Sequence, residues 1–225
     1  MTSSSPYPVG KYLPNGNGND PPLPLDGPTT GFKFNHMMMR IRDPATSLNF
    51  YINLMGMRTV FVVNAGPFTI YYLGYPQTVE HRQDLAKFGK ETIVDLAHTL
   101  GLLELYHIHN SENEPAGYYS TGNEPPNLGL GHLGFTVPDV RSALNHLVSN
   151  GVKVIKNLGV ATRETIPLSK WEADRGNGLG ELHEQYQKVF EQIAFVQDPV
   201  SHLHSVLPSA IFALTTHTRR QWQFK

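Results

Sequence analysis

Two histidines and one glutamate are the side chains of this sequence best suited to bind a metal ion together. His36 and His132 lie 96 residues apart, and each opens an apolar run that is followed by an aspartate seven residues after the histidine. Glu104 lies within the apolar run Leu102–Tyr106, where an unpaired carboxylate would be costly to bury. Two imidazoles and one carboxylate are ligands that suit Zn²⁺, Ni²⁺, Fe²⁺ or Mn²⁺.

Each of these residues also has an ordinary structural explanation. A single histidine in a strand is more often a hydrogen-bonded core or surface residue, and Glu104 could project into solvent from an amphipathic strand. The two histidines occupy equivalent positions in the two copies of the repeat, and chance would seldom place two histidines at equivalent positions. This favours a shared role. We therefore expect His36, His132 and Glu104 to meet at one divalent cation.

The internal repeat predicts the elements that must position these residues. In each copy the histidine run leads into an amphipathic helix that ends on a glycine, and then into a β-rich run. The pattern favours an α+β protein made of two tandem βαβββ modules. The expected organisation is a flexible leader over 1–31, a first module over 32–110, a linker over 111–127, a second module over 128–207 with an insertion at about 158–191, and an atypical tail over 208–225.

Composition narrows the possible functions. The chain has 225 residues, a net charge of −1 and no cysteine, so disulfides, thiolate nucleophiles and cysteine-based zinc sites are excluded. A charge so near zero provides no global field that attracts nucleic acid or a membrane surface. No stretch has the apolar length of a transmembrane helix, and the start of the chain does not resemble a signal peptide. We expect a cytoplasmic protein that has neither nucleic acid nor a membrane as a partner.

Several motifs, in the correct order, resemble glyoxalase I (lactoylglutathione lyase). They are Asn35–Pro44, Leu103–His107, Gly131–Gly134 and Ala194–Pro199. The resemblance covers roughly residues 32 to 199, interrupted by the insertion. It implies the vicinal-oxygen-chelate fold and the isomerisation, through an enediolate, of a hemithioacetal of glutathione and a 2-oxoaldehyde such as methylglyoxal. The product would be an S-2-hydroxyacyl-glutathione. The resemblance also implies that the partner is this small-molecule substrate and that the protein is a monomer or a homodimer, both of which the two-module length allows.

The same resemblance implies roles for individual residues. His36, Glu104 and His132 correspond to ligands of one divalent metal, zinc or nickel. Glu104 would also act as the catalytic carboxylate that moves a proton between neighbouring carbons. Arg40 and Lys156 match family positions that contact the carboxylates of glutathione, as their charge would allow.

Four features depart from the family pattern. One is the insertion, which displaces the loop that covers the bound tripeptide in the family and is either a surface elaboration or a substrate-changing lid. Where the family has a glutamate in the last strand, the register places Ser205, which cannot act as a base and is a poor metal ligand. The fourth metal position would then be Ser205 or the adjacent His204, although His204 points to the other sheet face in a regular strand. Leu128 replaces a second arginine that contacts glutathione. From Val200 to Lys225 the sequence no longer resembles the family. One hypothesis is that a retained intron or a shifted reading frame encodes this segment.

Three functions remain open at this point. The first is a glyoxalase I-like lyase with Glu104 as the surviving carboxylate. The second is another vicinal-oxygen-chelate enzyme, because two histidines and one carboxylate could hold iron for a dioxygenase-like reaction with O₂. The third is an inactive paralogue or metal-free binding protein, which Ser205 would favour.

Overall fold

The computed structural model describes most of the chain, in residues 5–11, 13, 18, 20–166 and 168–209. Part of the leader expected over 1–31 and, from residue 210 onward, the tail expected over 208–225 lie outside the described residues. The chain divides into two compact units. The first unit contains Pro21–Thr121 and the short segment Asp198–His202. The second unit contains Gly122–Gln197, together with the described residues from Leu203 onward and the described residues up to Asp20.

The first unit is built on a four-stranded sheet. Its elements are β1 (His36–Ile41), α1 (Pro44–Leu48), which continues as a π-helical segment (Asn49–Leu54), β2 (Arg58–Asn64), β3 (Phe68–Gly74), α2 (Val79–Gln83), α3 (Leu85–Val94) and β4 (Leu102–Ile108). The strand order is β1-β4-β3-β2, with β1 parallel to β4 and the other neighbours antiparallel. The first strand of the repeat is therefore hydrogen-bonded to the last.

The two faces of the first sheet differ in burial. Met39, Ile41, Leu103 and Leu105 are at most 3% exposed, so they belong to the core. Because side chains alternate between faces along a strand, the residues between them point to the opposite face. On that opposite face β1 is largely exposed, which leaves it available for a site.

The aspartate that follows each histidine by seven residues has a local structural role. Asp43 accepts a hydrogen bond from the backbone N–H of Ala45 at the start of α1, and Asp139 does the same from Ser142 at the start of the repeat's second helix. Such caps satisfy backbone donors that a helix leaves unpaired. The strand-to-helix transition is thus encoded alike in both copies of the repeat.

The second unit repeats this architecture. Its elements are β5 (Asn123–Glu124), β6 (Asn127–Leu128), β7 (Leu133–Val137), α4 (Val140–Ser149), β8 (Lys153–Lys156), α5 (Lys170–Ala173), α6 (Glu184–Phe190), β9 (Ala194–Gln197) and β10 (Leu203–Pro208). Strands β5 and β6 form a small ribbon, and the main sheet has the order β7-β10-β9-β8. Here too the first strand, β7, runs parallel to the last, β10. The expected α+β fold of two βαβββ modules is confirmed.

The glycines predicted to end the repeat's helices adopt the backbone conformation that this position requires. Gly56 follows the π-helical segment with φ of +81°, and Gly151 follows α4 with φ of +79°. A residue with a side chain would be strained in this left-handed conformation, whereas glycine is not. Both glycines therefore turn the chain from a helix toward the next strand.

The insertion lies between β8 and β9 and contributes to the core of the second unit. Ile166 and Phe190 from the insertion form a buried cluster with Phe195 of β9, and Leu168 and Leu182 pack against it. None of the helices within the described residues has the length and apolar character needed to cross a lipid bilayer.

Candidate metal and active site

The first unit brings His36 and Glu104 together. In the parallel pairing of β1 with β4, Met38 lies opposite Glu104. His36 is two residues before Met38 and so points to the same face of the sheet. All three side chains therefore lie on the face opposite that of Met39 and Leu105. The Nε2 atom of His36 is 3.3 Å from Oε2 of Glu104, and the glutamate side chain is only 15% exposed. Two of the three residues expected to bind metal are thus adjacent.

Asn35 makes contact with the other side of the His36 ring. Its Oδ1 lies 3.0 Å from Nδ1 of His36. Its Nδ2 donates to the backbone oxygens of Leu96 (2.6 Å) and Thr99 (2.9 Å), which belong to the turn before β4. The histidine is consequently contacted at both ring nitrogens. The local sequence gives no signal for the role of Asn35, because these partners are more than sixty residues away in the chain.

Aromatic rings line the same face of the first sheet. The ring of Tyr72 lies 5.2 Å from that of His36 and stacks on Phe61 at 4.5 Å. Burial, and then the charge of Glu104, raise the pKa of Tyr72, so its hydroxyl stays protonated at neutral pH. The sequence of β3 predicts that Tyr72 lies on one face of a sheet. Its position opposite Glu104 becomes visible only from the pairing of β3 with β4.

Arg40 lies on this face as well, one alternation beyond Met38. It is exposed, and its guanidinium carbon is 5.7 Å from the centre of the Tyr106 ring, which itself stacks on Phe68. A cation over an aromatic face is attracted by the ring's quadrupole. The structure therefore places a positive charge on the face that carries His36 and Glu104, and its role in binding glutathione remains a prediction.

His132 belongs to the second unit, just before β7. Its ring packs edge-on against Phe195, with centroids 5.0 Å apart. Partial burial, and then the charge of His204, lower the pKa of His132, which favours the neutral imidazole that can bind a metal. Within the described residues, no three His, Cys, Asp or Glu side chains form a group arranged to hold a metal ion. The three-residue site therefore remains a prediction.

Ser205 occupies the position in the second unit that Glu104 occupies in the first. In the pairing of β7 with β10, Gly134 lies opposite Ser205, just as Met38 lies opposite Glu104. Ser205 is 2% exposed, and its hydroxyl oxygen is 3.5 Å from the backbone oxygen of Leu133. This register agrees with the one expected from the sequence.

His204 points to the other face of the second sheet. The pairing of β10 with both neighbours is continuous, so alternation separates His204 from Ser205. Its ring packs edge-on against Phe135 at 5.4 Å and is fully buried. Of the two residues considered for a fourth metal position, Ser205 lies on the face of Phe195, whose ring contacts His132, and His204 lies on the opposite face.

Lys156 is buried beneath the insertion. Lys156 is only 2% exposed. Its ammonium donates to the backbone oxygen of Phe190, at 2.7 Å, and to that of Ile193. The ammonium also lies 4.5 Å from the centre of the Phe190 ring. Lys156 thus holds the C-terminal end of α6, where cations are favourable. In this arrangement its charge is not presented to a ligand, and a contact with glutathione remains a prediction.

The burial of Lys156 predicts a pH dependence of stability. Burial lowers the pKa of Lys156 from 10.5 to about 8, while Glu191 acts in the opposite direction. Between these two values the unfolded state binds more protons than the folded state, so the free energy of unfolding should rise with pH, by at most about 3 kcal/mol. Urea unfolding at about pH 7.5 and about pH 10 should show this rise in the wild type and not in Lys156→Met. Equal pH dependence in the two proteins would contradict the prediction.

A buried hydrogen-bond network attaches the segment between β9 and β10 to the first unit. The hydroxyl of Tyr51 donates to Oδ2 of Asp198 at 2.7 Å, and Nδ1 of His202 lies 3.1 Å from the same oxygen. The backbone N–H groups of Val200 and His202 donate to Oδ1. Burial, followed by Asp198, raises the pKa of Tyr51 well above its usual value. Asp198 therefore stabilises the turn that leads from β9 to the strand carrying Ser205.

Comparison with known proteins places this arrangement in a family. The profile of the Glyoxalase/Bleomycin resistance protein/Dioxygenase superfamily matches residues 33–166. The chain is 33% identical over 141 residues to a lactoylglutathione lyase of Pseudomonas aeruginosa, covering 59% of this chain and 73% of that protein. It is 31% identical over 167 residues to glyoxalase I of Saccharomyces cerevisiae, covering 73% of this chain and 46% of that protein.

The matched region contains the elements that carry the candidate site in the first unit. It begins before β1 and extends beyond β8, so it includes both histidines of the repeat and Glu104. It also covers more than half of the 225 residues. On this basis the chain belongs to the glyoxalase/bleomycin resistance protein/dioxygenase superfamily.

Proposed function

We propose that this chain is a glyoxalase I-like lyase that depends on one divalent metal. Its substrate would be the hemithioacetal of glutathione and a 2-oxoaldehyde such as methylglyoxal, and its product the S-2-hydroxyacyl-glutathione. The observation that carries the proposal is the pairing of His36 with Glu104 on the face of the first sheet opposite that of Met39 and Leu105. Two relatives named lactoylglutathione lyase or glyoxalase I, at 33% and 31% identity, support the same reaction class.

The paired side chains fit a divalent metal. Two donor atoms that each lie about 2.1 Å from a zinc ion at tetrahedral angles are about 3.4 Å apart. The separation between His36 Nε2 and Glu104 Oε2 is 3.3 Å. We propose that these two residues hold a zinc or nickel ion and that His132 supplies a third donor. When bound, the metal would act as a Lewis acid that polarises the oxygens of the substrate.

The residues of the chain would carry out the proton transfer and exclude water. Glu104 would take the proton from one carbon of the substrate and return it to the neighbouring carbon. Tyr72 and Tyr106 border the site with aromatic surface, which lowers the local dielectric and strengthens electrostatic interactions. Arg40, exposed on the same face, would bind a carboxylate of the glutathione moiety.

Ser205 favours a second candidate function. Glu104 and Ser205 occupy equivalent positions in the two copies of the repeat. Of these two positions, only that of Glu104 carries a carboxylate. A protein that binds metal without isomerising the hemithioacetal is consistent with this loss. Two histidines and one carboxylate are also the ligand set of Fe(II) oxygenases, so a dioxygenase-like reaction is the other alternative.

One assay separates these candidates. The full-length protein is incubated with methylglyoxal and glutathione, with and without added Zn²⁺ or Ni²⁺, and thioester formation is followed. Metal-stimulated isomerisation is expected. Metal binding without isomerisation would favour the inactive paralogue, and O₂ consumption with Fe²⁺ would favour the dioxygenase. Either result would overturn the lyase proposal.

Replacing Ser205 with glutamate should raise the lyase activity. A second carboxylate at the position equivalent to Glu104 would provide another group for proton transfer, an effect worth about 10²-fold or more in favourable geometry. The measurement is kcat/KM for the hemithioacetal in Ser205→Glu, with Ser205→Gln as a control of equal size that lacks the acid. If both variants had the same activity, the missing carboxylate would not be what limits the wild type.

A further inference from the structure

Asn35 is held in one orientation by the backbone around it. Both contacts of its amide nitrogen are to carbonyl oxygens, those of Leu96 and Thr99. An amide NH₂ group has two hydrogens, so these two bonds account for its donors and identify the nitrogen. The atom that faces His36 is therefore the amide oxygen, which can only accept a hydrogen bond.

This orientation favours one placement of the proton of His36. The 3.0 Å contact with Oδ1 of Asn35 is a hydrogen bond only when Nδ1 of His36 carries the proton and donates. In a neutral ring protonated in this way, Nε2 carries a lone pair, and this atom lies 3.3 Å from Oε2 of Glu104. A cation between these two electron-rich atoms would bind both.

We propose that Asn35 is a positioning residue that fixes the tautomer and ring orientation of His36, so that Nε2 is presented as a metal ligand beside Glu104. This inference rests on the proposed metal-dependent function. Partners of this kind, which hydrogen-bond the second nitrogen of a ligating histidine, fix its orientation and raise its basicity. Asn35 also ties the start of β1 to the turn before β4, the strand that carries Glu104.

The second copy of the repeat lacks this device. Gly131 stands before His132 as Asn35 stands before His36, and it has no side chain that could contact the imidazole. A Cβ built on Gly131 would have no neighbouring atom within 4 Å, so the glycine is not required by crowding. The asymmetry assigns the orienting role of Asn35 to the first histidine specifically.

Two variants separate the orienting role from the structural tie. Asn35→Leu removes the acceptor for His36 together with both bonds to the turn. Asn35→Asp keeps an acceptor oxygen but loses the donors to Leu96 and Thr99. Asn53→Leu serves as the matched control, since Asn53 is an exposed residue of the same unit whose amide nitrogen donates to the side-chain oxygen of Asn49. A purely structural role predicts that the aspartate variant is as impaired as the leucine variant.

The first readout is the tautomer of His36 in the metal-free protein, measured by ¹⁵N–¹H NMR of labelled histidine at a pH where the ring is neutral. The fraction of rings with the proton on Nδ1 should be larger in the wild type, Asn35→Asp and Asn53→Leu than in Asn35→Leu. In Asn35→Leu the proton should shift toward Nε2, the form that free histidine prefers. An equal fraction in the wild type and Asn35→Leu would overturn the inference.

The second readout is Zn²⁺ affinity, measured by titration of the same proteins. Asn35→Leu should bind about 10- to 100-fold more weakly than the wild type, with Asn35→Asp between them and Asn53→Leu unchanged. Equal affinity of the wild type and Asn35→Leu would overturn the inference while leaving the proposed function intact. If the wild type itself binds no zinc or nickel, the proposed function and the metal-directed role of Asn35 both fail, and the tautomer measurement alone decides whether Asn35 orients His36.

Discussion

Glu104→Gln is expected to lower kcat/KM for the hemithioacetal by about 10³-fold or more. Glutamine keeps the size of the side chain but can neither accept the substrate proton nor bind a divalent cation as strongly, and general acid–base catalysis alone contributes about 10²- to 10⁴-fold. The side chain is mostly buried beside His36, so no neighbouring water can readily take its place. The measurement is steady-state kinetics with metal supplied in excess.

A second histidine–glutamate pair in the same unit provides the control for Glu104→Gln. Glu112 lies 2.8 Å from Nε2 of His107, but its side chain is 43% exposed. Surface ion pairs contribute little to stability, so Glu112→Gln should leave both folding and activity nearly unchanged. An active Glu104→Gln variant, or an equal loss in Glu112→Gln, would show that Glu104 is not the catalytic carboxylate.

Asp198→Ala is expected to lower the free energy of unfolding by about 3 kcal/mol or more. The substitution removes the carboxylate oxygens that accept from the hydroxyl of Tyr51 and from the backbone N–H groups of Val200 and His202, and that contact the ring of His202. Each buried polar group left unpaired costs about 1–3 kcal/mol. Chemical denaturation of the wild type and the variant measures the difference directly.

Asp43→Ala is the matched control for this second prediction. Asp43 also accepts a backbone hydrogen bond in the first unit, but it caps a helix near the surface. Loss of such a cap costs about 1 kcal/mol. A loss in Asp198→Ala no larger than that in Asp43→Ala would mean that the buried network does not stabilise the turn after β9.

The features of the fold that depend on local sequence could be predicted. Alternating strands, capped helices and terminal glycines recur in both copies of the repeat, and each is decided by residues a few positions apart. The amphipathic helix predicted after the first histidine run is present over Pro44–Leu48, and it continues over Asn49–Leu54 as a π-helix rather than an α-helix. The position of Ser205 also followed from counting along the strand, because β10 pairs without a bulge.

The surroundings of the site residues could not be predicted, because they depend on contacts distant in sequence. Lys156 and Arg40 share a positive charge, yet Lys156 lies under carbonyl oxygens 34 and 37 residues away while Arg40 is exposed. Nothing in the local sequence distinguishes the two. The same holds for Asn35, whose role becomes visible only when the turn before β4 is placed beside it.

The binding of Zn²⁺ or Ni²⁺ to the metal-free full chain tests the central claim most directly. One ion per chain is expected, with affinity weakened by about 100-fold or more in both His36→Ala and Glu104→Gln, because each removes a ligand. The Glu112→Gln protein should bind as the wild type does. If the wild type bound no ion stoichiometrically, or if either ligand variant bound as tightly as the wild type, His36 and Glu104 would not form a metal site.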